Sequence, residues 1–576
     1  MIEDGSPRSL FPFAPRMTMF RPAVPSHRLA SVCAAAAVAA GVAIVGWPGV
    51  HGFWGRDDFM QLAFARLVGS PWPLFVHDHY APAPGVVFRP LGFASFWLWQ
   101  AVFGTDYRAH AVADLALHAG VALALLRVLL RARVPRTLAL ACSLLFALHP
   151  AVIGCALWWS ARFDLLATLF ILLALDAAFA YRDRPRSFVL AGALCAAMAA
   201  MLSKEIGLAV MLPLSLLWLR WARIEPARRA IAWRAVALAW LCALVWFGWR
   251  WRVLGTPASE LTGTMPLTQA LMLGVLDWTR QAGGYLSYWV RLDGAQRLAL
   301  VASGVALAAA VAGGLRRRPR TDARRHLDLA LCGLCLVALP ALLQAPVAAL
   351  NAAHLDRGMS AVEAAMQSRL YYLGIAGVAM LLAALLAPVW TAASPRARLA
   401  FAAPLALAAG VFALVSHDDA RAFARRSVAI SAVARAAVAE VAALDLPATH
   451  CHVVFLGVEP APEWSFYVSM DSIVKALSPD LGHVEHCWFD ADYATYFHLL
   501  AAPADAADAL PYEPLRVNGI RLPWRRIGAL EVAYVRPPEP VAGRDLAGVR
   551  FLAWRDGRFE DVSDAVASGQ RPVQLR

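Results

Sequence analysis

The chain has 576 residues, of which 60% are hydrophobic and 16% charged, with a formal net charge of +13 and a mean hydropathy of +0.55. A soluble protein of this length cannot hide so much apolar surface, so the composition excludes the soluble classes and predicts a polytopic α-helical membrane protein. Lys204 and Lys475 are the only lysines, and the arginines lie between apolar runs, where they orient helices; no nucleic-acid-binding face is needed to explain the basic charge.

Residues 1–28 carry Arg8, Arg16, Arg21 and Arg28 among prolines, with no apolar core, and read as a cytoplasmic tail. The first apolar run, 29–48, reads as a retained signal anchor. Further runs at 109–130, 137–155, 165–181, 187–202, 206–221, 233–250, 298–314, 327–347, 369–388 and 399–416 bring the expectation to about eleven membrane helices, in a transmembrane domain of 29–416 with a first outward loop at 49–108. With the N-terminus inside, the arginines around 131–136, 182–186, 220–234, 316–325 and 396–398 all fall on the cytoplasmic face. The segments around Asp57, 149–162, Lys204-Glu205, 252–297 and 351–369 then face outward. Two Trp-rich outward stretches, 91–104 and 267–290, read as helices lying in the interface.

Residues 417–576 read as a small extracytoplasmic α/β domain. It opens with an amphipathic stretch, RAFARRSVAISAVARAAVAEVAAL, and continues in short β-like runs separated by Pro, Gly and Asp. Of nine cysteines only Cys451 and Cys487 lie outside apolar runs; in an exported domain they could pair.

Each outward segment brings a polar group to the end of an apolar helix. In order these are Asp57 and Asp58 in GFWGRDDF, Arg89 in FRPL, His149 in ALHP, Arg162 and Asp164 in WWSARFD, Lys204 and Glu205 in LSKE, and Arg369 with Tyr371 and Tyr372 in SRLYYL. Such a set suits a reaction between a lipid-anchored phosphate and an exported acceptor. Arginine and lysine would hold the phosphate as it leaves, a carboxylate would take the acceptor's proton, and Trp54, Trp158 and Trp159 would flank sugar or lipid. Each element also has a plain structural reading: interfacial Arg, Trp and Tyr anchor helices, His149-Pro150 ends one, Lys204-Glu205 is a local ion pair, and Asp164 partners Arg162. Their order and combination carry the functional reading.

Over residues 29–390, the series DDF, FRPL, ALHP, WWSARFDLL, LSKE and RLYYL resembles the GT-C polyprenyl-phosphate-dependent glycosyltransferases, nearest the protein O-mannosyltransferases and the transmembrane O-mannosyltransferases that carry TPR repeats. The resemblance implies a GT-C-like membrane domain with a polyprenyl-phosphate-linked sugar as donor. It implies Asp57 as catalytic base or acceptor-orienting acid with Asp58 beside it, and a lipid-phosphate site drawn from Arg162, Lys204 and Arg369. Arg89 matches the arginine of that family's Arg-Pro-Leu, and His149, Glu205 and Tyr372 complete the candidate substrate site. The expected setting is a bacterial inner membrane, with the N-terminus cytoplasmic, the C-terminus periplasmic, and a protein, glycan or lipid acceptor.

The chain departs from that pattern in two places. The relatives often have a glutamate a few residues after the His-Pro, where this chain has Gly154 near the expected position, so the acid is dispensed with or supplied elsewhere, for instance by Glu205. No TPR array follows the membrane part. No cofactor is implied with certainty; a divalent metal at Asp57 stays open, since no His/Asp cluster at ligand spacing decides it. A transporter or flippase for lipid-linked glycans, or a non-catalytic envelope assembly protein, remains the alternative.

Overall fold

The computed structural model describes residues 26–55, 57–78, 87–255, 272, 292–315, 323–355, 368–446, 451–458, 470–491, 498–500, 516–517, 520–521, 525–527, 530–533 and 549–569. Ten helices run along its first part: α1 (Ser26–Gly46), α2 (Asp57–Leu67), α3 (Pro90–Phe103), α4 (Tyr107–Arg131), α5 (Arg136–Ala147), α6 (Pro150–Leu157), α7 (Arg162–Asp183), α8 (Ser187–Ser203), α9 (Met211–Ile224) and α10 (Arg229–Leu254). Four more follow: α11 (Gly294–Leu315), α12 (Ala323–Leu355), α13 (Tyr372–Ala392) and α14 (Pro395–Ala443). A helix therefore stands at each apolar run of the sequence.

Among the described residues, seven helical segments are long and apolar enough to cross a membrane, or eight if the bent pair α5–α6 is one span, against the eleven expected. Ser187–Ser203 and Gly294–Ala309 are apolar but shorter. The chain is a multi-pass membrane protein. The Trp-rich stretch 91–104 forms the 14-residue helix α3, whereas 267–290 lies, Met272 apart, outside the described residues.

Local chemistry sets the breaks. Pro150 cannot continue α5, so the chain bends by 61° and restarts as α6 with the proline in its first turn. Ser394 caps α14 by accepting from the Ala397 amide at 3.3 Å, and Pro395 opens that helix. Helices α12 and α13 pack backbone to backbone, since a Cβ on Gly333 would meet the Gly377 carbonyl oxygen at 2.7 Å.

One expectation needs correction. The sequence places the end of a span at 416 and a separate amphipathic helix after it, but α14 runs unbroken for 49 residues. At 1.5 Å per residue it is about 74 Å long, more than twice a hydrocarbon core. Ser416 to Asp419 lie within it, because a helix satisfies its own backbone in lipid and water alike.

The C-terminal part is α/β, as expected. Strands β1 (Cys451–Leu456) and β2 (Cys487–Ala491) are parallel neighbours, with Cys451 opposite Cys487 and joined to it by a disulfide. Short strands β3 (His498–Leu500), β4 (Arg516–Val517), β5 (Ile520–Arg521), β6 (Arg525–Ile527) and β7 (Leu530–Ala533) form small antiparallel pairings. Strands β8 (Val549–Arg555) and β9 (Arg558–Asp561) complete a sheet of order β2-β1-β8-β9. Helix α15 (Met470–Leu477) packs on β2, on α14 and on α2.

Candidate active site

The segment 158–164, WWSARFD, is the hub: each of its functional side chains reaches a different motif. Its residues make the short turn between α6 and the start of α7, so consecutive side chains point in different directions.

Ser160 takes Asp58, the second of the tandem aspartates. Its amide and hydroxyl donate to Asp58 Oδ1 at 2.9 and 2.7 Å, and the Gly55 amide donates to Asp58 Oδ2 at 3.1 Å. Asp58 is fully buried. Burial lifts its carboxyl from the ordinary aspartate range to about 7, against the pull of these three donors and with a further push from Asp57. Asp58 is thus a lock between α2 and the start of α7. Asp57, the first residue of α2, remains half-buried.

Asp164 and Phe163 take the basic groups. Lys204 Nζ donates to Asp164 Oδ1 at 2.6 Å. Next to it in sequence, Glu205 accepts from Arg89 at 2.8 Å and from the Phe88 amide at 3.3 Å. The Arg89 guanidinium lies over the Phe163 ring, 5.1 Å from its centre. Arg369 lies over the Trp158 ring at 4.6 Å, and both guanidinium groups are close enough to Lys204 to repel its ammonium. Arg89, Lys204 and Arg369 therefore share one field. Among the described residues no carboxylate comes within ion-pair distance of Arg369.

Other candidates are placed differently. Arg162 is 0% exposed and donates to Asp114 at 2.7 Å, with its guanidinium among the rings of Phe96, Trp99 and Trp159. It holds α4 to α7 and is enclosed by protein, and its carboxylate partner is Asp114, which corrects the expectation that Asp164 pairs with it. Tyr372 is also fully buried, its hydroxyl 2.6 Å from His118 Nδ1. His149 caps α6, its Nδ1 accepting from the Ala151 amide at 3.0 Å. Its ring meets Phe412 edge-on and lines an apolar cavity of about 270 Å³ with Phe146, Ser303, Ile375 and Pro404. Trp54, Trp158 and Trp159 are all buried; Trp54 and Trp159 meet edge-to-face, Trp159 also faces Arg162, and Trp158 faces Arg369.

Three partners were not singled out in the sequence: Asp114, Ser160 and Arg250, the last buried near the end of α10 within electrostatic reach of Glu205 and Asp78. A signal for Asp114 existed. His110, Asp114 and His118 recur every four residues in α4 and so share one face, and they bind the Gly104 carbonyl, Arg162 and Tyr372 in turn. Ser160 and Arg250 carry no comparable pattern.

At the tandem pair, both oxygens of Asp58 accept from protein donors. The one described group of His, Cys, Asp and Glu compact enough to hold a metal is Cys451, His486 and Cys487, which includes the disulfide.

No family model matches the chain, and a search of curated proteins finds no match. Among solved structures, the chain resembles ArnT from Cupriavidus metallidurans bound to undecaprenyl phosphate, at 13% identity and a TM-score of 0.42 over 91% of this chain and 100% of that one. The apo state of the same protein gives 13% and 0.40, over 90% of this chain and 100% of that one. Arabinosyltransferase EmbB from Mycobacterium smegmatis gives 16% and 0.36 over 71% of this chain, which spans only 43% of EmbB. Superpositions this loose establish no shared activity, and the functional case rests on the side chains themselves.

Proposed function

We propose that the chain is a membrane glycosyltransferase that moves a sugar from a polyprenyl-phosphate donor to an acceptor outside the cytoplasm. The observation that carries this reading is the field shared by Arg89, Lys204 and Arg369, tied through 158–164 to the loop that presents Asp57. Three cations around one aromatic-lined turn suit a phosphate with a lipid tail: each contact to a phosphate oxygen is charge-assisted, and arginine can make two at once. Trp158 and Phe163 back two of the cations and hold them in place.

The acceptor hydroxyl attacks the anomeric carbon, and its proton passes to the Asp57 carboxylate. The bond from that carbon to the phosphate oxygen breaks, and the leaving charge stays on the phosphate, where the cations stabilise it. Direct displacement gives inversion. Glu205 acts here by holding Arg89 rather than by replacing the missing glutamate. The topology that accords with this chemistry has the N-terminus and the arginine-rich helix ends in the cytoplasm of a bacterium, with the site and α/β domain on the periplasmic side of the inner membrane.

Membranes containing the full-length protein, supplied with a labelled polyprenyl-phosphate sugar, test the reading. Asp57→Asn is expected to lower transfer by about a hundredfold to ten-thousandfold, the range of a lost general base, with donor binding retained. Wild-type turnover by Asp57→Asn removes the base assignment. Movement of intact lipid-linked sugar across the membrane without cleavage would replace the transferase by a transporter.

A further inference from the structure

The segment that bears Asp57 is braced from its far end by the C-terminal domain. Helix α2 starts with the tandem aspartates and ends near Arg66, whose Nη1 donates to the carbonyl oxygens of Lys475 and Ala476, both at 2.9 Å. Those are last-turn carbonyls of α15, which have no partner inside their own helix and sit at the negative end of its dipole. A guanidinium there both satisfies them and meets the favourable sign of charge.

The α15 side of the contact is buried, while Arg66 itself is half-buried. Every residue from Met470 to Ala476 is buried, and the Asp471–Lys475 ion pair, at 2.8 Å, is 0% exposed on both sides. Burial lowers the Lys475 ammonium from its ordinary range while Asp471 opposes the shift. A charged pair enclosed at a junction is costly to bury and costly to break, which favours one fixed docking over a sliding one. The other end of the segment is held by α14: the Phe53 amide donates to Ser427 Oγ at 3.0 Å, and the Arg435 guanidinium lies 5.4 Å from the Phe53 ring centre.

We infer that the C-terminal domain is a working part of the transfer site, and that Arg66 is a positioning residue which, by capping α15, fixes the register of α2 and with it the place of Asp57. This rests on the reading of Asp57 as base. Misplacing a reacting group by about 1 Å can cost a hundredfold in rate without altering the binding of the other substrate. The domain then acts on turnover through α2 rather than by touching the donor.

The test uses the full chain in detergent or nanodiscs, with Arg66→Gln, which keeps a polar side chain but loses the charge, and Arg66→Lys, which keeps a cation. Amide hydrogen exchange across 57–67 and 470–477 is followed beside transfer kinetics. Arg66→Gln is expected to speed exchange in both segments and to lower kcat by about tenfold to a hundredfold with donor KM within about twofold; Arg66→Lys is expected to recover most of both. Exchange in Arg66→Gln equal to wild type overturns the brace whatever the activity does, and faster exchange with unchanged kcat overturns its role in positioning. Loss of activity in Asp57→Asn alongside wild-type Arg66 variants separates failure of this inference from failure of the base assignment.

Discussion

The two ends of the membrane bundle handle charge in opposite ways. Helix α7 carries Arg162 at its first residue and Asp183 at its last, about 30 Å apart, so it samples both. At the Asp183 end carboxylates are outnumbered. Asp328 accepts from both Arg182 and Arg220, Asp176 accepts from Arg127 and Arg131, and Asp183 pairs with Arg325. These contacts tie the ends of α4, α7, α9 and α12 into one lattice. At the Arg162 end the pairing is one to one, Arg89 with Glu205, Lys204 with Asp164 and Arg162 with Asp114, while Arg369 rests on an aromatic face. A doubly held carboxylate is a clamp. At the Arg162 end each of three cations has its own carboxylate, and Arg369 is the described cation of the set that faces a ring instead.

That contrast can be broken by substitution. The largest expected effect is on folding: Asp114→Ala strands the fully buried Arg162 and should cost about 3–5 kcal/mol, the usual penalty for splitting an enclosed pair, read as a lowered thermal transition. If Asp114→Ala leaves the transition unchanged but selectively weakens donor binding, Arg162 belongs to the phosphate site after all. Next comes Arg369→Gln. It breaks no described ion pair, so stability should hold, while donor affinity falls about tenfold to a hundredfold, the worth of a charge-assisted contact. Equal losses of stability and affinity would make Arg369 a structural residue.

A smaller effect is expected at the other end. Arg182→Ala leaves Asp328 with Arg220, so a loss of about 1 kcal/mol, the value of a partly redundant bridge, should come with wild-type transfer. A loss of several kcal/mol would show that the lattice depends on both arginines.

The smallest effect is a pH dependence. Because the folded protein holds the Asp58 proton up to about 7, well above the ordinary aspartate value, the folded state binds more protons than the unfolded chain between roughly pH 4 and 7. The stability Asp58 provides is therefore full below that window and declines as pH rises through it. Asp58→Asn should flatten this decline, as followed by thermal unfolding at a series of pH values. A wild-type profile rising with pH in the window would contradict the buried, proton-holding carboxyl.

The positions of the helices could be read from the chain because bilayer length and hydropathy are local properties, and each apolar run does coincide with a helix. The functional motifs stood out because a charge in an apolar context is conspicuous. Partner choice was not legible. Arg162 and Asp164 are neighbours of opposite sign and look like a pair, yet in a helix residues two apart do not face each other, and each finds its partner on another helix, Asp114 and Lys204. His149-Pro150 was legible as a helix boundary, and the structure adds that His149 caps the helix that follows. The continuity of α14 was hidden by Ser416-His417-Asp418-Asp419, which reads as the end of a span. The better guide was the lack of any proline between Pro404 and Pro447.

Helix α14 also orders events in time. A chain made from its N-terminus presents Asp57 early, but Ser427 and Arg435, in the last membrane helix, and Lys475 and Ala476, beyond it, which steady the aspartate-bearing segment, emerge only after α1 to α13 have been synthesised. Nascent protein would hold Arg89, Lys204 and Arg369 long before the aspartate-bearing segment is braced at both ends.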